Sequence, residues 1–436
     1  MLKLIKRSVN HPFKLLAVFG FCVALTVDFF RGFEYVILQA DGRNDYVTQA
    51  EEMLRGWSYM LSHPNPLGHG IGFSLLIALT FWISDSTSFV MIKILFAICH
   101  GASAYLIARI GFQIGLKKPF WVLASVFYAV DPFVLFSVSD VTTEPIVTLF
   151  VLYWAFLFLR VMKGRNLDNL HILLFSLSGF YSVFARPNSI LPFAMIATFI
   201  FYKWIKAGVS KVVLSFSVSI FSSLLIVYEF TLTKLYAGFV FLSPAGGYNA
   251  EVMCSKVFVP QYLGFISQAE NTRINNWVYG ATKSGEIFAN QEVYNIPAAN
   301  RELWKLGINS CLAQPLESLG VLLIKPFALW RPYVVYGAYS PTVFFASLLL
   351  WVPLTMAAIY FLTRRNLTPI QSQIRNYFLI MAVSFTISLE LTPTQIRHRI
   401  AFAEPFYWLF IFWALGMFMH WNSRRKKTSE LQANSS

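Results

Sequence analysis

Apolar runs of membrane-crossing length recur from one end of the chain to the other, separated by short polar connectors. Pro145 to Leu159 and Pro341 to Leu362 carry no charge, and the second exceeds the roughly 20 residues that a bilayer core requires. The pattern predicts helical spans at 15–36, 88–110, 119–138, 145–162, 168–184, 188–204, 211–232, 341–363, 376–394 and 400–421. A single all-α integral membrane domain of about ten helices is therefore expected over residues 1–421, followed by a disordered basic-polar tail over 422–436. Two long segments, 37–87 and 233–340, lie between spans. In the first, Tyr46, Ala50, Met53 and Leu54 recur at helical spacing with Glu51, Glu52 and Arg55 opposite, the mark of a helix lying in the interface. Ile71 to Ile83 is too short to cross and is closed by Asp85, so a second surface-lying helix is expected. The second segment predicts a helix from Ala298 to Cys311. Leu316 to Trp330, interrupted by Lys325-Pro326, reads as an interfacial or re-entrant helix.

Composition agrees with a membrane fold. Of 436 residues, 56% are hydrophobic and 13% are charged, against roughly 25% charged in soluble proteins. The net charge of +14 does not indicate nucleic acid, because no basic stripe interleaved with exposed aromatics is present. The charge is instead segregated by connector. One set of short loops and tails, from Lys3 through Lys117-Lys118, Arg160, Lys203, Arg364-Arg365 and Arg424 to Lys427, holds nearly every clustered cation and only Asp168 and Glu430 as acids. Positive loops stay inside, so both termini are expected to be cytoplasmic and the segments 37–87 and 233–340 outside. A bacterial inner membrane is the expected location, since no retrieval signal is recognisable in the tail. Cys254 and Cys311 share one outer segment, where an oxidising compartment permits a disulfide; Cys22 and Cys99 fall within spans.

Charge at membrane depth is costly and tends to mark function. On the outer side lie Asp28, Arg31, Asp41, Asp45, Asp131, Asp140, Glu144, Arg186, Glu390, Arg397, His398, Arg399 and Glu404. Arginines at Arg397-His398-Arg399, on the face where cations are normally depleted, suit a lipid phosphate, which guanidinium forks bind in bidentate fashion. Asp41 and Asp45 follow the first span, and Asp140 and Glu144 sit between the third and fourth. Two such carboxylate pairs fit either a general base for an acceptor hydroxyl or ligands for a divalent ion, Mg or Mn on Asp41 and Glu144. No phosphate-binding Gly-rich loop and no Gly-x-Ser-x-Gly elbow is present, and His63, His69 and His100 show no ligand spacing.

The order of these elements resembles the GT-C glycosyltransferases, in particular the dolichyl-phosphate-mannose-protein mannosyltransferase-like group that includes lipid A aminoarabinose transferases. Asp41 or Asp45 followed by Tyr46, Ala50, Leu54 and Gly56 is similar to the family's acid and first outer helix, and Pro64-Asn-Pro66-Leu67-Gly68 to its next turn. Ser139-Asp140 to Glu144-Pro145, Arg186-Pro187, and Arg397-His398-Arg399 with Glu404-Pro405 follow in the family's order. The resemblance implies a polyprenyl-phosphate sugar as donor, a lipid or glycan as acceptor and an acidic residue of the first loop as catalytic base. Asp41 lies five residues before Tyr46 and Asp45 directly before it, neither at the family's usual distance, so the base is one of the two. The substrate-binding residues implied are Arg397, His398, Arg399, Arg186 and Asp140. A non-enzymatic flippase or transporter of lipid-linked saccharide is the alternative, because phosphate-binding arginines serve it equally.

Overall fold

The computed structural model describes residues 2–34, 46–56, 71–165, 167–236, 238–239, 245–267, 269–270, 272–274, 277, 296–334, 340–390, 399 and 401–433. Among these residues the chain is helical and contains no β-strand. In chain order the helices are α1 (Leu2–Arg31), α2 (Thr48–Arg55), α3 (Ile71–Ser84), α4 (Val90–Gln113), α5 (Lys118–Ala129), α6 (Pro132–Val138), α7 (Glu144–Met162), α8 (Asn169–Ala185) and α9 (Ile190–Lys206). They continue with α10 (Lys211–Leu235), α11 (Ala245–Val252), α12 (Val259–Leu263), α13 (Ile296–Ala313), α14 (Pro315–Trp330), α15 (Pro341–Thr363), α16 (Pro369–Glu390) and α17 (Glu404–Ala433). Among the described residues five helices are long and apolar enough to cross a membrane: Pro12–Arg31 of α1, α4, α7, Leu214–Leu235 of α10, and α15. Two bent pairs, α5 with α6 at 53° and α13 with α14 at 107°, raise this to seven if each is one span. The protein is a multi-pass membrane protein.

The bundle is closed by aromatic packing and by polar groups that satisfy one another, as an apolar solvent demands. Trp204, Trp351, Tyr377, Phe96 and Phe158 are fully buried. Tyr377 donates to the Val151 carbonyl at 2.9 Å, Trp154 Nε1 to Ser178 at 2.8 Å and Ser125 to the Ala104 carbonyl at 2.7 Å, each joining different helices. Helices α1 and α4 make the closest seam. At Gly101 an added Cβ would stand 2.4 Å from the Ala17 carbonyl oxygen, the close backbone approach that small residues permit between membrane helices.

Helix ends sort by charge. Gln371 Nε2 reaches the Ile114 carbonyl at 3.1 Å, Arg375 the Arg364 carbonyl at 3.1 Å, and Arg160 Nη1 meets His171 Nε2 at 2.7 Å. These contacts gather the connectors bearing Lys117, Lys163, Arg364 and Arg365 at one end, termed the basic end. The opposite end carries the C-termini of α1 and α8 and the N-termini of α4 and α7.

Four sequence expectations are modified. The span at 119–138 is two helices, because Asp131 is held extended before Pro132 (φ −61°, ψ 118°), a restriction proline places on its predecessor. Residues after Asn422 continue α17 to Ala433; Ser423 to Ala433 contain neither glycine nor proline and are mostly good helix formers. Helix α3 does not lie free on a surface, since Ile71, Phe73, Ile77 and Phe81 are buried in the main core. In α2, Leu54 is exposed while Tyr46, Val47, Gln49 and Ala50 are buried, so the inward face is rotated from the one expected. Cys254 and Cys311 form the expected disulfide, with Cα atoms 5.5 Å apart, tying α13 to the turn after α11.

The α1–α4 seam is testable. Gly101→Ala must push two backbones apart, and overpacking of this kind costs about 1–3 kcal/mol. A lower melting temperature of the detergent-solubilised protein is expected, and an unchanged one would contradict the seam.

Candidate functional site

At the end opposite the basic one, the turn Ser139–Thr143 between α6 and α7 is held between cations from three other elements. Asp28 and Arg31 stand three residues apart in the last turns of α1, a spacing that places both on one face. Arg31 donates to the Ser139 hydroxyl and lies 5.3 Å from the Phe136 ring. Lys93, in the first turn of α4, sits 3.5 Å from the Asp28 carboxylate with both side chains fully enclosed, and reaches the Gly32 carbonyl at 3.4 Å. Arg31 and Asp140 are further charges acting on that lysine. Asp140 is itself buried and accepts the amide N–H of Val141 at 2.9 Å.

Glu144 opens α7 with Pro145 in the first turn, a place where an acid meets the positive end of the helix dipole. Arg186, where α8 ends before Pro187, approaches Glu144 Oε1 to 3.4 Å. The Ser-Asp-to-Glu-Pro and Arg-Pro motifs, 42 residues apart, thus become one ion pair. The acidic turn carries Asp140 and Glu144, and Arg31, Lys93 and Arg186 surround it. Glu34 accepts from Ser88 just beyond α1. The segment bearing Asp41 and Asp45 joins this end covalently, between residue 34 and Tyr46, whose ring meets Phe73 edge-on at 4.9 Å.

A second cluster lies at the other end of α6, a helix of about 10 Å at 1.5 Å per residue. Asp131 caps α6 by accepting from the amides of Phe133 (2.9 Å) and Val134 (3.3 Å), and its second oxygen accepts from Trp408 Nε1 at 3.0 Å. Nearby, the fully buried Arg399 donates Nε to Glu404 Oε1 at 2.8 Å and forms an ion pair with it, Nη2 standing 2.8 Å from the same oxygen. Its Nη1 goes to the Arg331 carbonyl at 2.8 Å, and its plane lies 4.6 Å from the Trp351 ring. This guanidinium is spent on internal partners and fixes the chain that Arg397 and His398 immediately precede.

The same architecture is found among solved structures. The apo crystal structure of an oligosaccharyltransferase from Archaeoglobus fulgidus superposes with a TM-score of 0.51 at 14% identity, over 95% of this chain and 52% of that one. The chain shares the fold of that oligosaccharyltransferase. Two further oligosaccharyltransferase structures from the same organism align at a TM-score of 0.47 and 12% identity. One is tethered to an acceptor peptide, and the other holds an inhibitory peptide and dolichol-phosphate. The chain spans about half the length of these proteins. No family model and no curated protein matches the sequence.

Within this fold the structure brings together Asp140, Glu144 and Arg186, while Asp41, Asp45, Arg397 and His398 lie outside the described residues. Lys93 was not singled out in the sequence; its signal is a lysine inside the apolar run Val90 to Ile98, level with Asp28. The described residues do not suit a divalent ion. None form a group of three or more ligating side chains, Glu144 is engaged by Arg186, and three cations crowd the turn. Among the described residues that donor set favours an anion; Asp41, the other expected metal ligand, lies outside them.

The Arg399–Glu404 pair makes a stability prediction. Glu404→Ala strands a buried guanidinium, and breaking a buried pair costs about 3–5 kcal/mol. Arg399→Met combined with Glu404→Leu should recover most of that loss in thermal unfolding. A single variant as stable as wild type would show that the pair does not hold this cluster.

Proposed function

We propose that the chain transfers a sugar from a polyprenyl-phosphate donor to an acceptor hydroxyl at the Asp28–Arg31 end of the bundle, with inversion at the anomeric carbon. The observation that carries this reading is the meeting, in a GT-C fold, of Arg31, Lys93 and Arg186 around the Asp140–Glu144 turn, where the first loop with its two aspartates also begins. The cationic side suits the phosphate that leaves. A carboxylate of the first loop, Asp41 or Asp45, takes the proton of the acceptor hydroxyl as that oxygen attacks the anomeric carbon. The bond from this carbon to the phosphate oxygen breaks, and its electron pair leaves on the polyprenyl phosphate. Arg397 and His398, next to the anchored Arg399, extend the phosphate-binding side, and Glu144 orients the acceptor. The basic end faces the cytoplasm on this reading, which puts the reaction on the outer leaflet of a bacterial inner membrane.

Asp41→Asn and Asp45→Asn keep size and much hydrogen bonding while removing the base, whose loss typically costs about 10²- to 10⁴-fold in rate. One of the two is expected to lose most transfer yet still bind donor, as followed by labelled-donor retention. Glu144→Gln should lower turnover less, and also loosen the Arg186 contact. Wild-type transfer rates in all three, with donor movement across liposomes retained, would replace the enzyme with a lipid-saccharide transporter.

A further inference from the structure

Helix α14 is turned inside out for a protein standing in water. Leu316, Leu319, Leu323 and Phe327, spaced three or four residues apart, are 84%, 53%, 71% and 44% exposed, whereas Ser318 and Lys325 are buried on the opposite face. A surface helix in water shows the reverse arrangement. Three contacts place the far end of this helix along the bundle. Trp330 Nε1 donates to Thr386 Oγ1 at 3.0 Å, four residues short of the Glu390 end of α16. The Val334 amide donates to Ser347 Oγ at 3.0 Å, and the Arg331 carbonyl accepts from Arg399, which lies over Trp351.

Ser347 and Trp351 stand six and ten residues into α15, or about 9 and 15 Å from its Pro341 end at 1.5 Å per residue. Helix α15 is long and apolar enough to cross a membrane. The chain therefore descends along α14 to residues 331–334 beside the upper half of α15, and Ser340 caps the top of that helix. At the top of α14 the exposed ion pair of Glu317 with Lys256, 3.0 Å, belongs in water or among headgroups. Leu349 on α15 and Val383 and Ile387 on α16 are exposed apolar side chains like those of the leucine stripe.

We propose that α14 is the descending limb of a re-entrant loop and that its face from Leu319 to Phe327 packs against the acyl chains of the bilayer. Backbone at that depth is permitted because protein covers it: the Arg331 side chain is buried and donates to the Gln261 and Tyr262 carbonyls, each at 2.6 Å, so the reversal point is enclosed. The inference concerns membrane insertion and stands whether or not the chain transfers sugar.

The test uses the full chain, purified and returned to liposomes, with Cys22→Ala and Cys99→Ala and the Cys254–Cys311 disulfide intact. Spin labels are attached at Glu317→Cys, Leu319→Cys or Leu323→Cys, and collisions with oxygen and with a water-soluble nickel chelate are measured. The oxygen-to-nickel ratio should be several-fold higher at 323 than at 317, with 319 between them; 319 carries the comparison alone if the 323 variant fails to fold. Equal nickel access at 317, 319 and 323 would overturn the proposal. So would spin–spin broadening at 323 that vanishes on dilution with unlabelled protein, since a second copy would then cover the face.

Discussion

An ion buried in an apolar bundle must be neutralised where it stands, because neither lipid nor packed side chains can solvate it. Three pairs obey this rule, and each one joins elements that the sequence separates. Asp28–Lys93 ties α1 to α4, Glu144–Arg186 ties α7 to α8, and Arg399–Glu404, through the Arg331 carbonyl, ties the start of α17 to the end of α14. Spans of leucine and phenylalanine slide past one another with little preference for register, whereas a buried pair has one. The places where the outer segments leave the bundle are therefore set by these ions.

The pairs differ in what they leave available. Arg399 is fully enclosed and gives its Nε and Nη1 to protein acceptors, so its role is to hold neighbouring chain in place. Arg186 meets Glu144 through a single long contact of 3.4 Å and keeps 11% of its side chain exposed. Arg31 is half-buried and shares a hydroxyl. A phosphate arriving at the Ser139–Glu144 turn would find cations already held in position, which is the preorganisation that favours a charged leaving group.

Much of this was legible in the sequence. The apolar runs located the helices, the Lys and Arg bias separated the two ends, and the acids and arginines of the outer side pointed to the turn that the structure assembles. What escaped has physical causes. Periodicity cannot show that Asp131-Pro132 ends one helix and caps the next, because the apolar pattern runs on through the bend. Lys93 is hidden by its neighbours, since one lysine in an apolar stretch equally describes a side chain reaching for the interface. Arg397 and Arg399 look interchangeable as letters, yet Arg399 turns inward onto Glu404. The polarity of α14 is invisible until burial shows which side of each residue is covered.

On the proposed reading, this end of the bundle breaks the bond between a sugar and a polyprenyl phosphate. The most direct measurement supplies the purified full-length protein with a panel of radiolabelled polyprenyl-phosphate sugars and a membrane extract as acceptor source. The account predicts that one donor yields free polyprenyl phosphate and labelled acceptor in proportion. Recovery of every donor intact, from protein that nevertheless moves a lipid-linked saccharide across liposomes, would contradict it.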